Sequence, residues 1–192
     1  MANVESSFKN MTLSLLIISL VASAALGLVH QFTNEAIVKA QMLKINSAIE
    51  VVVPEFDNQP FEEAKTIEMD GGELTLFPAK KDGELVGTAV KTFSMNGFAG
   101  LIELMVGFLP DGTIHKVAVV SHKETPGLGD KMEPQKSNFS VQFEGKNPEN
   151  FKLSVVKDGG DVDAITASTI TSRAYCDAVE RAYKALKEGG VQ

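Results

Sequence analysis

The clearest pattern in the chain is a long apolar run near its N-terminus. No charged residue occurs from Met11 to Val29, and the uncharged stretch extends from Asn10 to Asn34. As an α-helix the run would span roughly 28 Å, about the thickness of the hydrocarbon core of a bilayer. The pattern therefore predicts a transmembrane helix at residues 11–29, preceded by a short tail at residues 1–10.

A cleaved signal peptide is the competing interpretation of this run. Lys9 precedes it, and Ala22-Ser23-Ala24 resembles a small-x-small cleavage site. The apolar stretch continues beyond the supposed cut as far as Val29, which favours a retained span. Lys9 is offset by Glu5 on one flank, and Lys39 and Lys44 lie on the other, so the positive-inside rule gives little help with orientation. The simplest arrangement places the tail in the cytoplasm and the rest of the chain outside.

Beyond the span, apolar and polar residues are mixed in an amphipathic helical pattern. Thr33 is placed to cap a helix that runs towards Ile49, and Pro54 should close it. We expect residues 30–60 to form a helical stalk or linker that lifts a domain at residues 61–192 off the membrane. A helix that simply packs on the core of that domain fits the pattern equally well.

From Lys65 onwards the pattern changes to short β-rich runs separated by strong turn signals. Asp70-Gly71-Gly72, Asp82-Gly83 and Pro110-Asp111-Gly112 are such turns. They predict an antiparallel meander whose alternating apolar and polar positions suit a half-buried sheet. The predicted strands are Thr66 to Met69, Glu73 to Phe77, Leu85 to Phe93, Leu101 to Phe108, Ile114 to Ser121 and, after a long connection, Phe151 to Val156.

The last element should be an amphipathic helix from about Ile170 to Lys187. Apolar residues recur there at helical spacing, and Gly189-Gly190 is a usual C-terminal signal. Strands followed by a closing helix, without alternating βαβ units, indicate an α+β domain. The predicted fold class is an antiparallel sheet with packed helices behind one N-terminal transmembrane helix.

Charge and cysteine content limit the possible functions. The formal net charge is −7, and no dense cluster of lysine and arginine exists that a nucleic-acid binder would need. Cys176 is the only cysteine, so the chain alone cannot form an internal disulfide or a thiolate metal cage. Because His30, His115 and His122 are scattered, no metal site is predicted. Cys176 itself should be a buried small apolar residue.

A segment rich in hydroxyl side chains precedes the last helix. Five of the seven residues from Thr166 to Ser172 are serine or threonine. Such a segment can be an elaborate helix N-cap and nothing more. The same geometry also forms an anion site, because free N–H groups and the positive end of the helix dipole favour a phosphate.

Three motifs resemble those of one known family. The segment from Asp163 to Ser172 is similar to the Asp-x-x-Ser/Thr-Gly-Ala-Ser/Thr-x-Ser/Thr signature of domains that hold FMN through a phosphoester, although Ala167 stands where the family has glycine. The loop from Glu124 to Lys131 resembles the family's Glu-Thr-Pro-Gly-Leu-Gly loop. Asn96-Gly97-Phe98-Ala99-Gly100 resembles its Gly-aromatic-x-Gly element. With one span and this length, the chain resembles the G-type component of Rnf-type electron transport complexes.

The resemblance implies a cofactor site in this chain. Thr169 would carry FMN as a covalent phosphoester, added by a separate magnesium-dependent flavin transferase that uses FAD. If Ala167 needs a positive φ, alanine is strained there. The loop from Glu124 to Lys131 would line the flavin, with Leu128 covering the ring and Thr125 at its polar edge. Without the other motifs, its composition would indicate an ordinary surface loop. The residues expected to contact FMN are Asp163, Thr166, Ser168, Thr171, Glu124, Thr125, Gly127, Leu128, Gly129, Lys131 and Phe98.

The resemblance also implies a place in a larger assembly. Such complexes pass electrons between reduced ferredoxin and NAD and couple this to sodium or proton translocation. The expected partners are the other membrane subunits, the flavin transferase and membrane lipid, with the domain on the periplasmic side of a bacterial inner membrane and no independent turnover. Three alternatives stay open: the C-type component of sodium-translocating NADH:quinone reductase, which is usually longer, a membrane-tethered flavin redox sensor, and a non-redox binding module.

Overall fold

The computed structural model describes residues 8–69 and 71–189 of the chain. The chain divides into two compact units, Met1–Leu43 and Lys44–Gln192. A single helix, α1 (Phe8–Val52), contributes residues to both units. It contains an apolar segment that is long enough to cross a membrane and has no buried residue within the described part. The predicted span is therefore a candidate membrane helix by length and composition; residues 1–7 of the predicted tail lie outside the described residues.

The helix does not restart at Thr33, as the predicted cap would require. The Thr33 hydroxyl donates a hydrogen bond to the carbonyl of Val29 at 2.8 Å, one turn back in the same helix. A threonine bonded in this way satisfies its hydroxyl without ending the helix, so the capping prediction is wrong. The helix does end at Val52, two residues before Pro54, as predicted.

The last turns of α1 belong to the folded domain. Ile49, Val52 and Val53 are buried against one face of the sheet, where they meet Phe77 and Met105. The compact unit accordingly begins at Lys44, ahead of the boundary at residue 61 that the sequence suggests. Here the alternative of a helix packed on the domain's own core describes the end of α1.

Five antiparallel strands form one meander in the order β1-β2-β3-β4-β5. They are β1 (Lys65–Met69), β2 (Gly72–Lys81), β3 (Glu84–Gly97), β4 (Gly100–Phe108) and β5 (Ile114–His122). The Asp82-Gly83 turn has a positive φ at both residues, which is the geometry of a tight hairpin. The first five predicted strands are confirmed; Asp70 of the first predicted turn lies outside the described residues.

The second helix, α2 (Thr169–Gly189), covers the opposite face of the sheet. Its buried residues, among them Tyr175 and Val179, pack with Leu104, Val106 and Phe108 in the main core. Because helices cover both faces, residues 104–108 of β4 are all buried and do not alternate. The α+β fold class is therefore confirmed, and α2 extends slightly beyond the predicted Ile170 to Lys187. Gly190 lies outside the described residues.

The predicted strand from Phe151 to Val156 is wrong. Within the described residues this segment makes one isolated parallel bridge, Val155 to Val162, and continues into a short 3₁₀ helix at Val156–Asp158. Its polar groups are satisfied locally, since the backbone N–H of Lys152 donates to the Asp161 carboxylate at 2.7 Å. The segment therefore folds back on itself and leaves the edge of the sheet unextended.

Candidate functional site

A tight turn leads into α2. The N–H of Ser168 donates to the carbonyl of Ile165 at 3.0 Å, and Ala167 at the third position of this turn has a φ of +63°. Turns with a positive φ at the third position normally have glycine there. Strain at Ala167 is expected from the sequence only if its φ is positive. The structure has a positive φ there, so the alanine adopts a left-handed conformation that costs about 1–2 kcal/mol.

Ser172 holds this turn against the first turn of the helix. Its hydroxyl donates to the carbonyl of Ser168 at 3.0 Å and accepts the N–H of Ile165 at 2.9 Å. The N–H of Ser172 also donates to the Ser168 carbonyl, which is the first i to i−4 bond of α2. The N–H groups before it have no partner within the helix. Thr169, half-buried, thus begins α2 at its positive dipole end.

The loop after β5 forms the facing wall. Thr125-Pro126-Gly127-Leu128 is a β-turn in which the Leu128 N–H donates to the Thr125 carbonyl at 3.1 Å and Gly127 has a φ of +79°. Proline at the second position and a glycine with positive φ at the third are the residues that a type II turn requires. The Pro-Gly pair therefore fixes the path of the loop, and Leu128 remains partly exposed at its end.

A polar cluster holds both ends of this loop. The Nδ1 atom of His122 accepts the N–H of Glu124 at 3.0 Å, so the ring carries its proton on Nε2, which donates to Glu133 at 2.7 Å. Lys136 pairs with Asp130 at 3.0 Å and with Glu133 at 3.1 Å. Hydrogen bonds from His122 and Lys136 lower the pKa of the Glu133 carboxyl. The cluster keeps the start and the end of the loop close together.

The turn between β3 and β4 supplies the third wall. Ser94 donates to the Asp177 carboxylate of α2 at 2.6 Å, and the Thr92 hydroxyl donates to the carbonyl of Ala178 at 2.8 Å. These bonds fix the end of β3 on α2. At the tip of the turn, Phe98 is 70% exposed, which is unusual for a phenylalanine that belongs to a folded domain.

The three walls enclose a cavity of about 330 Å³. That volume lies in the range of small-molecule sites, roughly 300–1,000 Å³. Its apolar side chains Phe98, Leu128 and Ile170 are each at least 41% exposed around the opening. Hydroxyl groups and the helix start lie on the side of α2. The cavity is lined by Phe98, Glu124, Thr125, Leu128, Gly129, Ala167, Ser168, Thr169, Ile170 and Thr171.

Most residues singled out in the sequence come together at this cavity. Eight of them line it: Phe98, Glu124, Thr125, Leu128, Gly129, Ser168, Thr169 and Thr171. The other four lie nearby but do not line it: Asp163, Thr166, Gly127 and Lys131. Asp163 is exposed, and its N–H donates to the side-chain amide oxygen of Gln142 at 2.8 Å. Gly127 shapes the turn, and the carbonyl of Lys131 accepts the Ser137 hydroxyl at 2.6 Å.

Three residues at the site were not singled out as site residues. Ala167 and Ile170 line the cavity, and Ser172 ties the turn to the helix. The position of Ser172, four residues after Ser168, is a signal that sequence reasoning could have used, because a hydroxyl can bond the carbonyl one turn back. No comparable signal marks Ile170, whose exposure depends on how the turn directs the helix.

The hydroxyl-rich helix start and the apolar rim suit a ligand with a phosphate and a planar ring. Comparison with known families agrees, because residues 97–184 match the family described as the FMN-binding domain. This region contains all the residues that line the cavity. The fold and the site therefore define the class, a protein with an FMN-binding domain.

Curated relatives identify the particular family. The chain is 34% identical over 185 residues to the G-type component of the ion-translocating oxidoreductase complex of Vibrio atlanticus, covering 90% of this chain and 88% of the relative. The protein of the same name from Shewanella loihica is 35% identical over 188 residues, with 92% and 88% covered. The one from Erwinia tasmaniensis is 43% identical over 109 residues, about half of each chain. The chain belongs to this family of G-type components of ion-translocating oxidoreductase complexes.

Proposed function

We propose that this chain is the membrane-anchored FMN carrier of an ion-translocating oxidoreductase of the Rnf type, with FMN joined to Thr169 by a phosphoester. One observation supports this most directly. Thr169 is the first residue of α2, is half-buried, and lines a cavity whose rim is apolar. A phosphate on its hydroxyl would meet the free N–H groups of the helix start.

The residues around Thr169 suit different parts of FMN. Ser168 and the N–H groups of the first turn of α2 would donate hydrogen bonds to the phosphate. Phe98, Leu128 and Ile170 offer apolar contact for the ring, and Thr125 offers a hydroxyl for its polar edge. FMN would supply the redox chemistry, while the protein sets its exposure and potential. Asp163 and Thr166 are exposed beside the turn, where a loading enzyme can reach them.

Loading would use the Thr169 hydroxyl as a nucleophile. Its oxygen forms a bond to the phosphorus on the FMN side of FAD, the P–O–P bond breaks, and AMP leaves, with the hydroxyl proton passing to a base of the flavin transferase. A magnesium ion on that enzyme would neutralise the developing charge. Thr169 is then the acceptor of the transfer, and this chain supplies no catalytic group for it.

In the cell, the domain would lie on the periplasmic side of the inner membrane and exchange electrons with the other membrane subunits. The complex as a whole would connect ferredoxin and NAD and move sodium ions or protons. Protease added to intact spheroplasts should remove the domain that begins near Lys44. Digestion only after the membrane is broken would place the domain in the cytoplasm and contradict this orientation.

Intact-protein mass tests the attachment. The full chain, co-expressed with a flavin transferase, should gain about 438 Da, the mass of FMN less water in a phosphoester, and should be yellow. Thr169→Ala should lack both the mass and the colour, whereas Thr66→Ala, which removes an exposed hydroxyl of β1 outside the cavity, should keep them. A colourless, unmodified wild type would support the helix-cap interpretation and a non-redox binding function. The same mass shows whether the apolar N-terminus is retained.

A further inference from the structure

Glu124 is a buried carboxylate in the wall of the cavity. Only 5% of the residue is exposed, and it lies between three separate segments of the chain. Its Oε1 atom accepts the N–H of Ala99 in the β3–β4 turn at 2.9 Å, and its Oε2 atom accepts the hydroxyl of Thr171 in α2 at 2.6 Å. Through these bonds it joins the loop, the turn and the helix.

Two donors face the two oxygens of the carboxyl group, an arrangement that suits its charged form. A backbone N–H can only donate, and the short Thr171 contact is occupied by the one hydrogen that its hydroxyl has. Thr171 donates its hydrogen to Glu124 and has none left to donate to a phosphate, although Thr171 is expected from the sequence to contact FMN.

Two glycines hold the carboxylate in place. A Cβ at Gly97 would come within 2.8 Å of Oε1, and a Cβ at Gly129 would come within 2.8 Å of both the Glu124 Cβ and the Thr171 hydroxyl oxygen. The backbone of both segments thus packs directly on Glu124. Within the described part of the chain, no lysine or arginine lies within ion-pair distance of the Glu124 carboxylate.

We propose that Glu124 is a positioning residue that joins the walls of the flavin site and keeps a fixed negative charge there, which opposes reduction of the flavin. The inference rests on the proposed function. A buried charge acts more strongly than an exposed one because the surrounding dielectric is low. Adding electrons next to it is therefore disfavoured, and the charge lowers the midpoint potential of the bound flavin.

Glu124→Gln separates the charge from the contacts. Glutamine can accept the Ala99 N–H through its oxygen and donate to the Thr171 hydroxyl through its nitrogen, so both contacts remain while the charge is lost. Ser94→Ala is the matched control, since it removes a bond that fixes the same turn on α2 and leaves Glu124 unchanged. Both variants and the wild type are purified as full chains after co-expression with a flavin transferase.

The readouts are FMN content by mass, the melting temperature and the midpoint potential by spectroelectrochemistry. Glu124→Gln should carry FMN and have a more positive potential, by at least about 30 mV, which is a tenfold change for a two-electron couple. Ser94→Ala should melt at a lower temperature with the potential of the wild type. A wild type without FMN would instead contradict the proposed function, because the inference concerns a loaded chain.

Three results would overturn the inference. An unchanged potential in loaded Glu124→Gln would show that the charge has no influence on the flavin. Equal shifts in both variants would assign the effect to movement of the turn. If Glu124→Gln fails to fold or to load, Thr171→Val, which removes the Oε2 contact and keeps the charge, is measured in its place, and a potential more positive than that of the wild type would overturn the inference.

Discussion

At the scale of single residues, the site combines one strained position with several that restrain it. Ala167 has a φ of +63°, and Ser172 bonds both ends of the turn that contains it. Strain of this kind persists only where the surrounding contacts determine the conformation. The turn therefore presents Thr169 in one orientation at some cost in stability.

Replacing the strained residue should stabilise the fold. Ala167→Gly should raise the free energy of unfolding by about 0.5–1 kcal/mol, because relief of the left-handed strain exceeds the added entropy of the unfolded chain. Denaturant titration of the unloaded full chain in detergent measures this. Thr166→Gly is the control, since Thr166 has no positive φ, and it should lose stability. A loss in both variants would mean that the alanine is not strained.

The sequence predicted much of the site at this scale because short motifs contain their own turn chemistry. Thr125-Pro126-Gly127-Leu128 encodes a type II turn, and the run of hydroxyl residues encodes a helix start. The bond between Glu124 and Thr171 was not predictable, because 47 residues separate the two partners and only the fold brings them together.

At the scale of elements, the sheet packs between the end of α1 and α2. The end of α1 packs on one face and α2 on the other. Local patterns predicted β1 to β5 and α2 well because their alternation and spacing reflect burial. Local patterns were wrong at Phe151 to Val156, where the apolar residues belong to a loop and a short 3₁₀ helix. They were also wrong at Thr33, whose hydroxyl bonds a carbonyl within a continuous helix.

Shortening single side chains near the end of α1 tests whether this part of the helix belongs to the domain. Ile49→Ala should cost about 2–4 kcal/mol of unfolding free energy, because Ile49 is buried and its removal leaves a cavity. Val51→Ala, two residues later but 55% exposed, should change stability by about 0.5 kcal/mol or less. Equal effects in the two variants, measured by denaturant titration, would show that this part of α1 does not pack on the sheet.

An ion pair links the loop before the site to α2. Arg173 bonds both carboxylate oxygens of Asp158, at 2.7 and 2.8 Å, and this lowers the pKa of Asp158. A carboxyl whose pKa is lower in the folded chain than in the unfolded chain stabilises the fold at pH values above its unfolded pKa of about 3.9. This stabilisation is lost as the pH falls through the pKa of the folded chain. Asp158 therefore contributes at neutral pH and not in strong acid.

Asp158→Asn should accordingly destabilise the domain at pH 7, and the difference from the wild type should shrink as the pH falls below about 4. Thermal melting between pH 3 and 8 measures both variants under the same conditions. Asp163→Asn, which removes an exposed carboxylate without an ion pair in the described residues, should show no such trend. A difference that does not depend on pH would contradict the ion-pair explanation.

At the scale of the whole molecule, the chain joins a candidate membrane helix to a domain with a cavity on its surface. Family membership and the matched FMN-binding domain agree with the architecture expected from the sequence. Charge, length and motifs sufficed for this expectation because anchor and domain have separate sequence signals. Partners, orientation and the attached residue depend on assembly and chemistry outside the chain, which local sequence patterns do not encode.

Peptide mapping shows which hydroxyl carries the flavin. Trypsin should release residues 158–173 of the loaded chain as one peptide, which contains Thr166, Ser168, Thr169, Thr171 and Ser172. Fragment ions should place the added mass of FMN less water, about 438 Da, on Thr169 alone. FMN on another of these hydroxyls, or flavin that leaves the chain on denaturation, would contradict it.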